Sequence, residues 1–246
     1  MTVLLTAPSG YTTIVADNPT EVAAAQRLRH RVFAEELGAN LPTAMAGLDV
    51  DEFDDHCDHL IVRDDATGEA VGTYRMLPPS RAHVLGRRYS DGEFDTSALD
   101  PLRDQLVEMG RSCVHPDYRS GAVMSLMWAG IARYLLLNGY RWLGGCASVG
   151  LDDGGAAANA MWRLSQAKHL APPMLRVRPR LPWVAADGVS EVGKIPPLVR
   201  GYLRLGAWVC GEPAHDPDFD CADFYMLLSL DRTDPRYLRH FLGESG

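Results

Sequence analysis

The chain has 246 residues, of which 46% are apolar and 23% charged; these proportions are typical of globular proteins and exclude a largely disordered chain, a collagen-like fibre and a coiled-coil rod. The 32 acidic residues outnumber the 24 lysines and arginines and give a net charge of −8, so nucleic acid is not expected as a partner. The five cysteines are scattered and odd in number, which argues against a disulfide framework and a structural zinc ribbon.

The sequence also lacks signals for export or membrane insertion. Residues 1–10 have no basic segment before their short apolar run. No uninterrupted apolar stretch approaches the roughly 18 residues that a spanning helix needs. We therefore expect a cytoplasmic protein with reduced cysteines.

Hydrophobic periodicity predicts strands and helices that intermingle along the chain. Asn18 and Pro19 begin the first helix, because asparagine is a good N-cap and proline suits the first helical position, and Gly38 ends it. The predicted strands cover residues 12–16, 59–63, 70–77, 105–114, 140–149 and 224–230, and the predicted helices cover residues 19–37, 121–137, 154–169, 197–205 and 235–242. Loops are predicted for residues 39–57 and 78–100. Since the alternation is not strict, we expect one α/β domain over residues 1–246 with a mixed sheet.

Two charged residues stand inside an apolar predicted strand. Glu108 and Arg111 are surrounded by leucine, valine, methionine and cysteine, and burying such charges is costly unless they are paired or functional. Residues three apart on a regular strand point to opposite faces, so a joint role requires a bulge between them. Glu108, a carboxylate that can take up a proton, is the candidate general base.

A possible anion site follows this strand, where a basic turn with Arg119 and Gly121 leads into a helix. Free backbone N–H groups and the helix dipole favour phosphate there, and an ordinary loop before a core helix is the alternative. Backbone N–H groups near Cys113 and Val114 are candidate donors to an oxyanion.

Metal and covalent chemistry are both disfavoured. His56, Cys57 and His59 are close in sequence, but no second ligand pair follows at finger spacing, so no metal site is predicted. Ser148 does not lie in a Gly-x-Ser-x-Gly motif. Cys113 and Cys146 lie in apolar strands, where cysteine is more often structural than nucleophilic.

The motifs resemble a known group of enzymes. Arg29-x-x-x-Phe33, Asp51-Glu52-Phe53-Asp54, the segment 72–78 around Arg75, and Glu108-Met109-Gly110-Arg111 resemble the acyl-homoserine-lactone synthase pattern. A closer resemblance, to the ornithine N-acyltransferase family of ornithine-lipid synthesis, is found in residues 27–33, 54–60, 111–119 and 201–207. Both families belong to the GNAT (Gcn5-related N-acyltransferase) superfamily, and the resemblance covers roughly residues 20–240.

Three departures separate this chain from related patterns. Ala39 follows Gly38 where lactone synthases carry tryptophan, and Gly110 stands where they tend to have serine. Both differences argue against lactone synthesis. The turn Arg119-Ser120-Gly121 is shorter than the usual GNAT pyrophosphate loop, which favours a carrier-protein donor over coenzyme A.

The resemblance implies a GNAT-type fold with a mixed, largely antiparallel central sheet flanked by helices. It implies transfer of a long (3-hydroxy)acyl chain from acyl carrier protein to the α-amino group of ornithine or a similar amino acid, with acyl-CoA as the other donor and no cofactor. The implied catalytic residues are Glu108 and Arg111; the implied acceptor-binding residues are Arg29, Phe33, Asp51, Asp54 and Arg75; the implied acyl and pantetheine residues are Cys113, Val114, Arg119, Gly121, Cys146 and Ser148.

Docking of an acidic carrier protein onto an acidic enzyme requires a local basic patch. Arg176, Arg178 and Arg180 alternate and could share one face of an extended segment, although such charges also discourage strand aggregation. Arg87, Arg88 and Arg119 are further candidates. A peripheral contact with the inner face of the membrane is left open.

Two other functions remain open. One is an acetyl-CoA-dependent GNAT acetyltransferase that acts on a small amine or antibiotic. The other is a GNAT-like module that binds an acyl carrier or a membrane and catalyses nothing.

Overall fold

The computed structural model describes residues 2–7, 10–39, 41, 47–119, 121–190 and 192–233. The strands are β1 (Thr2–Ala7), β2 (Tyr11–Val15), β3 (Asp58–Asp64), β4 (Ala70–Leu77), β5 (Phe94–Asp95), β6 (Leu106–Val114), β7 (Trp142–Gly150), β8 (Arg178–Pro179), β9 (Trp208–Val209), β10 (Ala214–Asp216) and β11 (Cys221–Ser229). The α-helices are α1 (Pro19–His30), α2 (Pro79–Leu85), α3 (Ala122–Asn138), α4 (Ala156–Leu164) and α5 (Pro197–Arg204).

Helix α1 begins as its sequence predicts and then changes its winding. The Asn18 side chain accepts a hydrogen bond from the backbone N–H of Glu21, which satisfies one of the free donors of the first turn. From Arg31 to Glu36 the chain continues as a π-helix, and the Leu37 N–H donates to the carbonyl of Val32. Such wider turns are frequent at functional sites.

One compact unit comprises the described parts of residues 1–82 and 109–140. Its strands follow the order β1, β2, β3, β4, β6, and the ladders from β1 to β4 are antiparallel. Gly130 lets α3 approach the sheet closely, because a Cβ atom there would lie 2.7 Å from Thr13 Cγ2 and 2.8 Å from Leu60 Cδ1. Helix α1 packs against β4 and β3.

A second compact unit comprises the described parts of residues 83–108 and 141–234. The first three residues of β6 pair in parallel with β7, from Leu106 opposite Trp142 to Glu108 opposite Gly144. Strand β11 runs antiparallel to β7, and β9 and β10 pair with β11. The buried core of this unit includes Phe94, Leu99, Leu106, Ala171, Val177, Cys210, Ala214, Tyr225 and Leu227.

The structure confirms the predicted mixed α/β class and the largely antiparallel pairing, with helices flanking the strands. Most predicted strands and helices are present with ends shifted by a few residues. No helix within the described ranges is long and apolar enough to cross a membrane. The predicted single domain over residues 1–246 stays a prediction.

Several regions differ from the sequence-based expectation, among them the short strands β8, β9 and β10, which were not predicted. Strand β1 was not predicted, because its short run offers too little periodicity to separate strand from loop. The segment 78–100, predicted to be a loop, contains α2, a 3₁₀ turn over Tyr89–Gly92 and β5, with a second 3₁₀ segment over Ser97–Gln105. These short elements are held by contacts distant in sequence. The predicted helix at 235–242 lies outside the described residues.

Candidate active site

A network of three arginines and three aspartates lies in the first unit, with Arg29 at its centre. The Arg29 side chain is fully buried, and its Nη1 and Nη2 atoms donate to the two carboxylate oxygens of Asp54 at 2.9 and 2.8 Å. Arg29 Nε also lies 2.9 Å from a carboxylate oxygen of Asp49. The members of the network are Arg29, Arg75, Arg111, Asp49, Asp51 and Asp54. The three positive and three negative charges pair with one another, which compensates for the cost of removing them from water.

Asp54 is an internal member of this network. Its side chain is 3% exposed. It accepts a hydrogen bond from Arg75 Nη1 at 3.2 Å in addition to the two hydrogen bonds from Arg29. Burial by itself would raise the pKa of Asp54, but the hydrogen bonds and charge of Arg29, with the charge of Arg75, outweigh it and lower the pKa to about 2. Asp54 therefore holds the arginines in place, and its oxygens are occupied within the protein.

Asp51 and Arg111 form the more exposed edge of the network, with side chains 22% and 14% exposed. Arg75 Nη1 donates to Asp51 at 2.5 Å, and Arg111 Nη2 donates to the other Asp51 oxygen at 3.3 Å. The Arg75 guanidinium also lies over the ring of Phe53, 5.7 Å from its centroid. This edge presents a carboxylate beside a guanidinium, the two charges that complement a free amino acid.

Arg111 has an irregular backbone within β6. Its φ is 50°, in the left-handed region that non-glycine residues rarely adopt. A joint role of Glu108 and Arg111 requires an irregularity in the strand, because residues three apart on a regular strand point to opposite faces. The positive φ of Arg111 is such an irregularity. Arg111 contacts Asp49 and Asp51 of the first unit.

Glu108 lies in the second unit, at the last pair of the parallel ladder. Its buried carboxylate accepts hydrogen bonds from the backbone N–H groups of Tyr89 and Ser90, at 2.8 and 3.0 Å, and from the Ser90 hydroxyl. Burial raises the pKa of Glu108, and the bonds from Ser90 and Tyr89 oppose that rise. A buried carboxylate of raised pKa, fixed by three donors, suits a general base.

A second group of acids lies in the same unit and was missed by the sequence analysis. Asp223, on β11, is 2% exposed and faces Ser148 of β7 across the antiparallel pair. Glu93 interacts with Asp223 through a hydrogen bond and with the Cys146 thiol. Burial and the charge of Asp223 raise the pKa of Glu93 to about 9, and burial also raises the pKa of Asp223. The two acids thus favour a shared proton.

The predicted acyl and pantetheine residues are divided between the two units. In the first, Cys113 is buried against Leu28 and Val32 of the first helix, beside half-buried Phe33. Burial raises the pKa of the Cys113 thiol to about 12, which agrees with its assignment as structural rather than nucleophilic.

Arg119 is engaged by other protein groups. Its guanidinium forms a two-bond pair with Glu36 at 2.6 and 2.7 Å, and its Nε donates to the carbonyl of Val114. Gly121, at φ 90°, is the N-cap of α3. A phosphate would therefore have to compete with Glu36 for this arginine.

In the second unit, Cys146 and Ser148 project from the same face of β7, since they are two residues apart. Cys146 is half-buried and Ser148 is exposed. Burial and the charges of Glu93 and Asp223 raise the pKa of Cys146, so this thiol is also a poor nucleophile.

The acidic groups that sequence reasoning missed gave only weak local signals. Asp49 belonged to an acidic loop, and Glu93 and Asp223 stood in segments with no motif. A charged residue inside the apolar run of β11 was the one available sign for Asp223.

The three oxygen or sulfur ligands of Asp216, Cys221 and Asp223 lie within 4.8 Å of one another. Burial raises the pKa of both Cys221 and Asp223, which disfavours the deprotonated forms that a metal ion requires.

We expect Asp54→Asn to lower the free energy of unfolding by about 3–5 kcal/mol, because it leaves Arg29 buried without its charged partner. Since the folded pKa of Asp54 is depressed, its contribution is present above pH 3.8 and is lost as pH falls toward 2. Urea unfolding from pH 2 to 7 measures both effects. Asp100→Asn, at an exposed ion pair, is the matched control. Equal stability of Asp54→Asn and the control would contradict the assignment.

Glu93→Gln should flatten the pH dependence of stability between pH 7 and 9. The folded pKa of Glu93 is raised, so its contribution is complete below about pH 4.5 and is lost as pH rises through about 9. The slope for one proton is at most about 1.4 kcal/mol per pH unit. Comparing the slopes of wild type and variant isolates Glu93, because both proteins contain the same cysteines. The exposed Glu212→Gln should keep the wild-type slope, and an unchanged slope in Glu93→Gln would refute the shared proton.

Comparison with known proteins bears on the family and the fold of this chain. The model of the acetyltransferase (GNAT) domain family matches residues 28–129. The L-ornithine N(alpha)-acyltransferase of Rhodobacter capsulatus is 38% identical, with 94% of each chain covered. The protein of the same name from Brucella abortus is 34% identical, with 94% of this chain and 88% of that protein covered.

Among solved structures, the CoA-dependent acyl-homoserine lactone synthase MesI has a TM-score of 0.55 at 15% identity, covering 92% of this chain and 90% of its own. This likeness shows the fold, and it confirms the GNAT-type arrangement that the motifs predicted. The identity to the curated relatives extends over nearly the whole of both chains. The chain therefore belongs to the L-ornithine N(alpha)-acyltransferase family.

Proposed function

We propose that this acyltransferase moves a long (3-hydroxy)acyl chain from the thioester of acyl carrier protein to the α-amino group of ornithine. The observation that carries the proposal is Glu108, a buried carboxylate of raised pKa held by three donors at the end of the parallel ladder. The curated relatives, named for ornithine N-acylation, support the choice of acceptor.

The reaction forms one bond and breaks one. The neutral amine attacks the thioester carbonyl carbon, the C–N bond forms, and the C–S bond breaks to release the pantetheine thiol. An ammonium group cannot attack, so a base must first take its proton. Glu108 is the proposed base, directly or through a water molecule: it passes the ammonium proton to solvent, and it then takes the second nitrogen proton as the C–N bond forms and delivers it to the departing thiolate.

The acceptor is proposed to bind at the exposed edge of the arginine and aspartate network. Asp51 offers a carboxylate to a cationic group, while Arg111 offers a guanidinium to the acceptor's carboxylate. Arg29, Arg75 and Asp54 are braced against one another behind this edge. The sequence predicted that Asp54 contacts the amino acid directly. We propose instead that Asp54 supports the arginines, because its oxygens are already paired with them.

The donor is proposed to dock through a basic patch formed by Arg176, Arg178 and Arg180. All three arginines are exposed, whereas Val177 between them is buried. Arg178 lies opposite Asp95 in the β5–β8 pair. Arg88 does not contribute to such a patch, because it is 6% exposed and its Nη2 donates to the carbonyl of Arg103.

The rival functions make different demands on the donor and on catalysis. An acetyl-CoA-dependent acetyltransferase would prefer a short chain on coenzyme A. A non-catalytic module would bind the carrier without forming product. Peripheral membrane contact remains a proposal that follows from a lipid-like product.

The decisive assay incubates the protein with carrier-protein thioesters and a panel of amino acids, and identifies products by mass spectrometry. We expect N-acylornithine from a long 3-hydroxyacyl donor. Preference for acetyl-CoA over every carrier-bound long chain would favour the first rival, and absence of product with every pair would favour the second.

Glu108→Gln should lower kcat by about 10²–10⁴-fold, the usual contribution of a single general base. The glutamine keeps the shape, and its single carbonyl oxygen can still accept the hydrogen bonds from Ser90, while its amide nitrogen loses the bond from the Tyr89 N–H. We therefore expect the fold to persist with a lower Tm. Steady-state kinetics with thermal unfolding tests both statements. Glu69→Gln, an exposed carboxylate on the β3–β4 turn, is the matched control. Turnover within a fewfold of wild type would remove Glu108 from the mechanism.

Charge reversal at Arg178 and Arg180 should slow the carrier-protein reaction, chiefly at low salt, because exposed charges act mainly on the association rate. The reaction with a short pantetheine thioester should be nearly unchanged, since that donor lacks the protein surface. The same reversal at exposed Arg200 and Arg204 provides the control. An equal loss with both donors would show that the patch serves the fold instead.

A further inference from the structure

The hydroxyl group of Tyr225 is buried without a hydrogen-bond partner among the described residues. The side chain lies on β11 and is 1% exposed. Its Oη atom makes no hydrogen bond within the described ranges. Buried polar groups are nearly always hydrogen-bonded, and an unmet donor costs stability. This hydroxyl therefore calls for an explanation.

The ring of Tyr225 is well fixed, so the hydroxyl has a defined position. It packs edge-on against Phe94, with 5.9 Å between ring centroids, within the core of the second unit. Its Oη lies over Gly144 of the neighbouring strand, only 2.5 Å from the place that a Cβ atom would occupy there. Glycine at this position makes room for the hydroxyl, and any larger residue would displace it.

Gly144 is also the cross-strand partner of Glu108. The two residues form the last pair of the parallel ladder, so their side-chain positions share one face. The charge of Glu108 raises the pKa of Tyr225 further, after burial as the larger cause. The hydroxyl thus remains protonated at neutral pH and acts only as a neutral donor near the proposed base.

We propose that Tyr225 Oη donates a hydrogen bond to the carbonyl oxygen of the acyl thioester and stabilises the oxyanion of the tetrahedral intermediate. The inference rests on the proposed function, and it names a further catalytic residue for it. When the amine nitrogen attacks, an electron pair moves from the C=O bond onto this oxygen. When the C=O bond re-forms, the C–S bond breaks, and the tyrosine keeps its proton throughout.

This role accounts for the unmet donor. A hydroxyl held without an internal partner is already desolvated and oriented, and it gains its full hydrogen bond as negative charge develops on the substrate. The opposing explanation is that the ring serves only to fill the core. In that case the hydroxyl would be a pure cost, and its removal would improve stability without affecting the reaction.

The variant Tyr225→Phe separates these explanations, because it removes the hydroxyl and keeps the ring. We expect kcat for N-acylornithine formation to fall on the order of 10²-fold, the usual effect of losing one oxyanion donor. The KM of ornithine should change little, and Tm should be unchanged or higher. Tyr134→Phe is the matched control, since the Tyr134 hydroxyl already has a partner within the protein and donates to Asp58 at 2.6 Å. It should lower Tm and leave kcat unchanged.

A binding measurement tests the contact directly. Two unreactive donor analogues are compared, a carrier-bound acyl amide that keeps the carbonyl and an alkyl thioether that lacks it. Tyr225→Phe should weaken binding of the amide analogue severalfold and leave binding of the thioether unchanged. Equal affinities of both proteins for both analogues, together with wild-type kcat in Tyr225→Phe, would overturn the inference.

The outcomes also distinguish this inference from the proposed function. If the wild type makes no N-acylornithine with any donor, the proposed function fails whatever the variants do. If the wild type is active and Tyr225→Phe is equally active, only the role of Tyr225 fails. A parallel loss of kcat in Tyr134→Phe would show that buried tyrosines in general limit the enzyme and would refute a specific role for Tyr225.

Discussion

The buried pairing of Arg29 with Asp54 is the interaction on which the first unit depends. An arginine with no exposed surface can remain charged only if it is paired, and here Asp54 accepts hydrogen bonds from two of its nitrogens while the Asp49 carboxylate lies 2.9 Å from the third. The same aspartate contacts Arg75. Helix α1, the loop before β3, and β4 are thereby tied together by electrostatics rather than by apolar packing alone.

The exposure of the side chains increases from one end of the network to the other. Its charges become more exposed from Arg29 through Arg75 to Arg111 and Asp51. The inner members satisfy one another, and the outer members face more water. A site for a zwitterionic amino acid benefits from this arrangement, because rigid inner charges hold the outer ones in place without losing entropy on binding.

The second unit handles its buried charges differently. Glu108 is met by neutral donors from Tyr89 and Ser90, which stabilise the carboxylate less than an arginine would. Glu93 and Asp223 are held near each other and favour a shared proton. Raised carboxylate pKa values in this unit contrast with the depressed pKa of Asp54 in the first. Charged partners thus hold the pKa of Asp54 low, whereas burial is the largest cause of the raised pKa values of Glu93, Glu108 and Asp223.

The sequence by itself determined the mixed α/β class, the capped first helix, the β3–β4 hairpin and the strand that carries Glu108 and Arg111, because these depend on local periodicity, caps and turns. Its motifs also identified four of the charged residues in the network of Arg29, namely Asp51, Asp54, Arg75 and Arg111, but not Asp49. Only the tertiary structure decided which of them touch: Asp54 is buried, and Asp51 is half-buried at the more exposed edge of the network. The Glu93–Asp223 pair and the hydroxyl of Tyr225 over Gly144 could not be foreseen. They arise from register between strands distant in sequence, which no local pattern encodes.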